Sequence, residues 1–234
     1  MIVCSVTVYN NYMPMYRHVD KDFFKKWTLE MAYVLGFFMA DGSIDINPRG
    51  SHYFSLAIID RKLLESIHKS LKSTHKISVI KRANKSNWSD QYRLQIGSRE
   101  MCDDLRRLGV TENKTNNLLI PEIPKKFFSH FVRGYFDGDG NVWIGKIHKR
   151  RKIQTYAIHT VFTSCSGDFL KDLKSKLEYL GLKGGSFCKA DNAYRLQYSI
   201  NNSIMLYNIM YSGKYSLFLE RKKRVFEKFI LMLS

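Results

Sequence analysis

Residues 34–42 read VLGFFMADG and residues 132–140 read VRGYFDGDG, and these two stretches decide the fold. In each stretch an apolar segment with helical spacing runs into Asp-Gly, and a glycine lies five positions before the aspartate. The two aspartates, Asp41 and Asp139, are 98 positions apart. A single Asp-Gly is usually a turn, but two matched segments of this kind indicate an internal duplication.

The rest of the chain repeats at nearly the same distance. The segment QYRLQIGS (91–98) returns as AYRLQYSI (193–200). Each half shows a helix, a strand pair, an amphipathic helix, a second strand pair and a further helix. Ser98 and Ser166 stand where N-caps belong, and Gly109 and Gly181 where helices end.

The sequence therefore predicts an α+β fold made of two pseudo-symmetric αββαββα repeats. We divide the chain into an N-terminal extension (1–22), a first repeat (23–109), a linker (110–125) and a second repeat (126–234).

Small residues predict how the two halves meet. The helix over 29–41 is apolar on almost every side, so it is buried on every side. Gly36 and Ala40 lie four positions apart, as do Gly134 and Gly138. Such stripes let two helix backbones approach closely, so we expect both motif helices to pack together at a pseudo-twofold axis.

This packing brings Asp41 and Asp139 together at the C-terminal ends of their helices, where a negative charge is unfavourable. A divalent cation removes the conflict, and hard oxygen ligands without a Cys/His cluster favour Mg²⁺ over zinc. We place Ala40 and Gly138 beside the two aspartates in this metal site. Other divalent cations, such as Mn²⁺ or Ca²⁺, can occupy the same site.

Both segments resemble the motifs of the LAGLIDADG homing endonucleases, in the single-chain form that carries two motifs. The resemblance extends over about residues 23–230. It implies motif helices packed at the centre and β-sheets that form a DNA-binding saddle. It also implies that the second acidic residue of each motif, Asp41 or Asp139, is the metal-binding catalytic residue.

The sequence departs from the family pattern at two positions. Met39 replaces the first acidic residue of motif one, whereas Asp137 keeps it in motif two. That position is not the metal ligand in the family. Arg133 is bulky where the family has a small residue, which predicts an outward-facing side chain.

A lysine after the second strand pair of each half is a further candidate. In the family a lysine near this place approaches the active site and stabilises charge on the phosphate. Lys114 and Lys222 occupy corresponding places and are assigned as catalytic, with Lys223 an equal alternative to Lys222.

The charge points to a polyanionic partner. The chain carries 38 Lys and Arg against 21 Asp and Glu, a formal net charge of +17. Strand alternation puts the Arg and Gln of both YRLQ segments on the face opposite the core, where they suit base edges. The basic clusters suit phosphates. The predicted DNA-binding residues are Lys81, Arg82, Lys85, Arg93, Gln95, Lys149, Arg150, Arg151, Lys152, Lys189, Arg195 and Gln197.

Several other classes are excluded. No apolar run is long enough to span a membrane, and the first residues lack a secretory signal, so we expect an intracellular protein, in a bacterial cytoplasm or an organelle. The chain end lacks the His-Asn that an intein needs for splicing.

The sequence thus predicts a monomeric, Mg²⁺-dependent endonuclease that cuts both strands of a long asymmetric DNA target. The alternatives are an intron RNA maturase and a DNA-binding protein that does not cut.

Overall fold

The computed structural model describes residues 16–81, 89–112, 118–147 and 155–233 of the chain. Within these residues, the first half contains three helices and four strands. In chain order these are α1 (Leu29–Asp41), β1 (Gly42–Ile46), β2 (His52–Ile58), α2 (Arg61–Ser70), β3 (Ile77–Ile80), β4 (Gln91–Gly97) and α3 (Arg99–Arg107).

The second half repeats this order and adds one helix. Its elements are α4 (Lys125–Asp139), β5 (Gly140–Ile147), β6 (Thr155–Ser164), α5 (Gly167–Tyr179), β7 (Ser186–Ala190), β8 (Ala193–Ser199), α6 (Ile200–Tyr211) and α7 (Glu220–Leu231). The predicted α+β fold with two αββαββα repeats is confirmed. The sequence analysis does not predict α7.

Local capping explains where several helices begin. Thr28, Asp60, Ser98 and Ser166 each accept a hydrogen bond from the backbone N–H three residues ahead. The two serines are the N-caps that the sequence predicts. After α3 and α5 the chain turns at Gly109 (φ 84°) and Gly181 (φ 95°), a conformation that glycine adopts without a steric penalty.

Each half builds one four-stranded antiparallel sheet, with strand orders β1-β2-β4-β3 and β5-β6-β8-β7. The YRLQ segments lie in β4 and β8, which are inner strands. Leu94, Ile96 and Leu196 are fully buried on the side of the helices. Because strand side chains alternate, the Arg and Gln of both segments lie on the opposite, partly exposed face.

Helices α1 and α4 form the centre of the molecule. Nine residues of α1, Met31–Met39, are buried, as are nearly all residues of α4 from Phe127 to Asp137. A helix that is apolar on every side needs neighbours on every side. Here the two helices cover each other, the sheets pack against both, and α6 with the segment before α7 covers a further side of α4.

The described part of the N-terminal segment packs on the first half. Val19 is buried, the Asp20 N–H donates to the Leu71 carbonyl (3.0 Å), and the Thr74 N–H donates to the His18 carbonyl (2.9 Å). These bonds attach the segment to the end of α2. The division of the chain at residues 23, 110 and 126 stays a proposal.

Candidate functional site

The glycines of the motif helices lie against the backbone of the facing helix. A methyl group on Gly36 would overlap the carbonyl oxygen of Phe131, and one on Gly134 would overlap that of Tyr33. A methyl group on Gly138 would overlap the Cβ atom of Ala40. The structure therefore brings all four predicted interface residues into one contact, closest at the two central glycines.

This contact brings the motif carboxylates to one place. Asp41 Oδ2 lies 3.3 Å from the position that a Cβ atom on Gly138 would take, and Asp139 is the next residue. Both carboxylates lie near enough to affect Tyr135. Burial, and the negative charges of Asp139 and Asp41, raise the pKa of its phenol. Asp41 is exposed and Asp139 half-buried, so the carboxylates lie at the surface end of the helix pair.

Lys222 reaches the same end from α7. Its ammonium group donates to the carbonyls of Phe136 (2.7 Å), Asp137 (2.7 Å) and Gly138 (3.1 Å) in the last turn of α4. The Phe136 carbonyl also accepts the Gly140 N–H. Burial lowers the pKa of Lys222 to about 8, against the attraction of Asp137, Asp41 and Asp139. A cation at a helix C-terminus offsets the negative end of the dipole.

The neighbouring lysine lies elsewhere. Lys223 forms an ion pair with Glu227 (3.0 Å) and lies over the rings of Tyr215 and Phe218. Of the two candidates that the sequence leaves open, Lys222 is the one beside the motif carboxylates. Its predicted counterpart, Lys114, lies outside the described residues.

Asp137 links the helix pair to α7. The Tyr33 hydroxyl donates to Asp137 Oδ2 (2.7 Å), and so does the N–H of Leu219 (2.8 Å), the residue that precedes α7. Burial raises the pKa of Asp137 to about 6, although both hydrogen bonds and the charge of Lys222 oppose the shift. Asp137 thus binds the residue before α7, and Lys222 in the first turn of α7 binds the last turn of α4.

Arg133 is buried, with 1% of its surface exposed, so the predicted outward orientation is wrong. Its guanidinium donates to the carbonyls of Leu217 and Met210 and to Nδ1 of His130, and it lies over the ring of Tyr215. The two carbonyls belong to the end of α6 and to the segment before α7, whereas His130 lies one turn earlier in α4. The segment before α7 therefore packs beside α4 and buries the guanidinium.

The exposed face of the first sheet carries a hydrogen-bond network. Asp45 Oδ2 accepts from the hydroxyl of Ser55 (2.6 Å) and lies 3.4 Å from Arg93 Nη2 and 3.5 Å from Gln95 Nε2. Asp45 Oδ1 accepts from Ser43 (2.8 Å). Partial burial raises the pKa of Asp45, but these hydrogen bonds and the charge of Arg93 outweigh it, and the net shift is downward.

The corresponding face of the second sheet is aromatic. Trp143 stacks on His159 with ring centroids 5.2 Å apart, and Gln197 Nε2 lies 3.5 Å from His159 Nδ1. Arg195 is exposed in the neighbouring position of β8. The structure thus places all four YRLQ candidates on the exposed faces of their sheets.

The remaining DNA-binding candidates are less uniform. Lys81 is exposed directly after β3, whereas Arg82, Lys85 and residues 149–152 lie outside the described residues. Lys189 pairs with Tyr194 in the sheet, and so it lies on the face opposite Arg195. The structure therefore does not bring Lys189 together with the other candidates of its sheet.

Sequence reasoning missed Asp45, Trp143 and the role of Asp137. The first two could have been found, because they follow their motif aspartates by four residues on strands whose odd positions face outward. Asp137 could have been noticed because only the second motif has an acidic residue at this position, where the first has Met39.

The described part of the chain lacks two features, a larger metal-binding cluster and a membrane-spanning helix. No group of three or more His, Cys, Asp or Glu residues there could hold a metal ion. None of the helices described has the length and apolar character needed to cross a bilayer.

The chain is similar in sequence to known proteins. Residues 28–109 match the family model of the LAGLIDADG-like domain. The uncharacterized protein MJ0398 of Methanocaldococcus jannaschii is 22% identical over 215 residues, which cover 86% of this chain and 71% of that protein.

Two solved structures share the architecture. The I-LtrWI LAGLIDADG homing endonuclease bound to target DNA superposes with a TM-score of 0.58 at 15% identity, covering 88% of this chain and 90% of that one. I-SmaMI bound to an uncleaved DNA target in the presence of calcium ions gives a TM-score of 0.53 at 15% identity, covering 89% and 92%. Residues 28–109 are thus a LAGLIDADG-like domain, and the chain as a whole has the fold of the single-chain LAGLIDADG homing endonucleases.

Proposed function

We propose that this protein is a site-specific endonuclease that hydrolyses both strands of a long, asymmetric double-stranded DNA target with divalent metal ions. The observation that carries the proposal is the meeting of Asp41 and Asp139 at adjoining helix ends, with the ammonium group of Lys222 held beside them. A protein that only bound DNA would gain nothing from two carboxylates facing phosphates.

The donor set fits Mg²⁺. This ion binds through one or two carboxylates and completes its shell with water and substrate phosphate, and the site offers two carboxylates and no further acidic or His/Cys ligand among the described residues. Asp41 and Asp139 would hold the ion, next to the backbone of Ala40 and Gly138. When bound, it neutralises phosphate charge and lowers the pKa of water.

The chain's own residues position the reactants. Asp41 and Asp139 come from opposite halves, so each carboxylate serves one of the two scissile phosphates. Three carbonyls hold Lys222, and its ammonium charge adds to the positive potential where charge develops on the phosphate. We assign Lys114 the same task in the first half. Ordered water is the nucleophile, and no side chain is assigned as general base.

The exposed faces of the two sheets form the DNA-binding surface. Arg93, Gln95, Arg195 and Gln197 present the side chains that read guanine and adenine edges in the major groove. The basic residues from Lys81 to Lys85 and from Lys149 to Lys152 contact phosphates, which position the duplex without reading it. Lys189 lies on the other face of its sheet and is not assigned to this surface.

Asparagine substitution at the motif aspartates tests the proposal. Purified protein is incubated with Mg²⁺ and a genomic duplex library, and the ends produced are sequenced. We expect discrete breaks at one long motif, absent in EDTA and in Asp41→Asn or Asp139→Asn, with DNA binding nearly unchanged. Asp168→Asn, which removes an exposed carboxylate on α5, is the matched control and should cut normally.

Two results would contradict the proposal. If both motif variants lost DNA binding together with cleavage, the aspartates would be structural. If the parent protein bound DNA tightly without cutting it, a non-cutting DNA-binding protein or an intron RNA maturase would be the better description, and intron RNA would be the next ligand.

A further inference from the structure

The two sheets have the same register, which makes their positions comparable. The glycine after each motif aspartate, Gly42 or Gly140, pairs with Leu56 or Phe162, and these pair with Leu94 or Leu196. Counting from these rows, Arg93 and Gln95 of the first sheet correspond to Arg195 and Gln197 of the second. By the same count, Asp45 corresponds to Trp143, and Ser55 corresponds to Val161.

In the first sheet the Arg–Gln pair is held by a carboxylate. Asp45 lies within 3.5 Å of Arg93 and Gln95, and Gln95 Nε2 also donates to Ser55 Oγ (3.3 Å). The Asp45 and Arg93 side chains are each 38% exposed, so the network is open to a ligand lying on the sheet. Ser43 and Ser55 in turn fix the carboxylate.

In the second sheet, other residues occupy the positions of Asp45 and Ser55. Trp143 stacks on His159 where the carboxylate would be, and Val161 stands where Ser55 donates in the first sheet. Among the described residues Arg195 makes no ion pair within 4.0 Å, whereas Arg93 makes one. The Arg–Gln pair thus shares one carboxylate in the first sheet, whereas in the second sheet Gln197 lies beside His159 and no carboxylate joins it to Arg195 among the described residues.

A carboxylate on a surface that meets phosphates has two opposing effects. It repels the polyanion and so weakens binding to every sequence alike. It also fixes the guanidinium and amide in one arrangement, which reduces the side-chain entropy lost when they meet a base. The first effect lowers affinity, and the second raises discrimination between bases.

We propose that Asp45 is a specificity-determining positioning residue, which orients Arg93 and Gln95 so that the half-target on the first sheet is read more strictly than its counterpart. Arg195 and Gln197, beside the Trp143–His159 stack, discriminate less at the equivalent base pairs. This inference rests on the proposed function, because it requires duplex DNA on the sheet faces.

The test is a binding selection on a randomised duplex library in EDTA, where cleavage does not occur. The positions read by Arg93 are defined as those at which Arg93→Ala loses its base preference. At these positions Asp45→Asn should lower the preference about fivefold or more, as expected for one bidentate contact. Its affinity for random DNA should rise, because a negative charge is lost. A variant that was merely misfolded would lose both.

Two further variants make the result specific. Asp191→Asn removes the same charge from the β7–β8 turn and should leave the base preferences unchanged. In the Arg93→Ala background, Asp45→Asn should have no further effect at these positions if it acts through Arg93.

The outcomes separate the two proposals. If the parent protein prefers bases and Asp45→Asn has the same preferences, the role of Asp45 is overturned and the proposed function stands. If the parent protein shows no base preference at all, the proposed function fails and this inference fails with it.

Discussion

At the scale of single residues, buried charged side chains of α4 form hydrogen bonds with the backbone between α6 and α7. Arg133 donates to carbonyls on both sides of the connection between α6 and α7, and His130 Nδ1 accepts from its Nη2 (2.9 Å). An imidazole nitrogen that accepts a hydrogen bond from a guanidinium carries no proton, so the ring is neutral. Burial and the charge of Arg133 accordingly lower the pKa of His130 to about 4.

This predicts an acid-labile contribution to stability. The unfolded chain binds a proton at His130 near pH 6.5, whereas the folded chain does so only near pH 4, so stability is lost as the pH falls through this window. Between pH 7 and pH 5 the parent protein should lose about 2 kcal/mol more than His130→Gln. Urea unfolding at both pH values measures this, and equal losses would show that His130 is not buried as a neutral group.

Substitutions of the two adjacent lysines of α7 should affect cleavage differently. Lys222→Met removes the ammonium group from the helix end and should reduce cleavage about 100-fold or more while DNA binding is kept. Lys223→Met, which removes the ion pair with Glu227 and the contacts with the rings of Tyr215 and Phe218, should cut within a few-fold of the parent protein. Single-turnover cleavage assays compare them. Equal losses in both variants would remove Lys222 from the proposed site.

At the scale of the elements, the contact between α1 and α4 tolerates no added side chain. Gly134→Ala would drive a methyl group into the carbonyl of Tyr33, so the two helices would have to separate. We expect a loss of about 3 kcal/mol or more, at the upper end for overpacking. Gly145→Ala in β5 is the control: its nearest contact, Trp143, lies at 3.7 Å, and it should change stability by less than about 1 kcal/mol. A stable Gly134→Ala protein would contradict the close approach.

The same scale shows what sequence patterns could predict. The bounds of α1, the N-caps Ser98 and Ser166 and the outward side of the YRLQ strands were predictable, because each depends on residues within one turn or one strand. The burial of Arg133 and the contact of Asp45 with Arg93 were not, because Leu217 and Met210 lie 84 and 77 positions from Arg133, and Arg93 lies 48 positions from Asp45. Propensity and periodicity carry no information about such pairs.

At the scale of the whole molecule, the positive charge is concentrated. Helix α5 carries as many acidic as basic residues, and its lysines pair with Asp168, Asp172 and Glu178. By contrast, the segments 81–85 and 146–152, which follow β3 and begin within β5, contain eight Lys or Arg and no acidic residue. Nearly half of the net charge of +17 therefore belongs to two strand connections.

This distribution predicts a steep dependence of DNA binding on salt. If these segments neutralise six or more phosphates, the affinity should fall about 1,000-fold or more between 50 and 200 mM salt. Fluorescence anisotropy with Asp139→Asn in EDTA measures binding without cleavage. The slope should be shallower for Lys149→Ala on every sequence, and an affinity that hardly changes with salt would contradict a phosphate-binding surface.

The hydrogen bond between Tyr33 and Asp137 also limits how genes of this kind can be recombined. Counting from the motif glycines, Tyr33 matches Phe131 and Asp137 matches Met39, so neither half carries both members of the bond. A symmetric protein assembled from two copies of the second half would bury each Asp137 against a phenyl ring that cannot donate. An exchanged first half therefore keeps this bond only if it supplies a tyrosine at the position of Tyr33, and an exchanged second half only if it supplies an acidic residue at the position of Asp137.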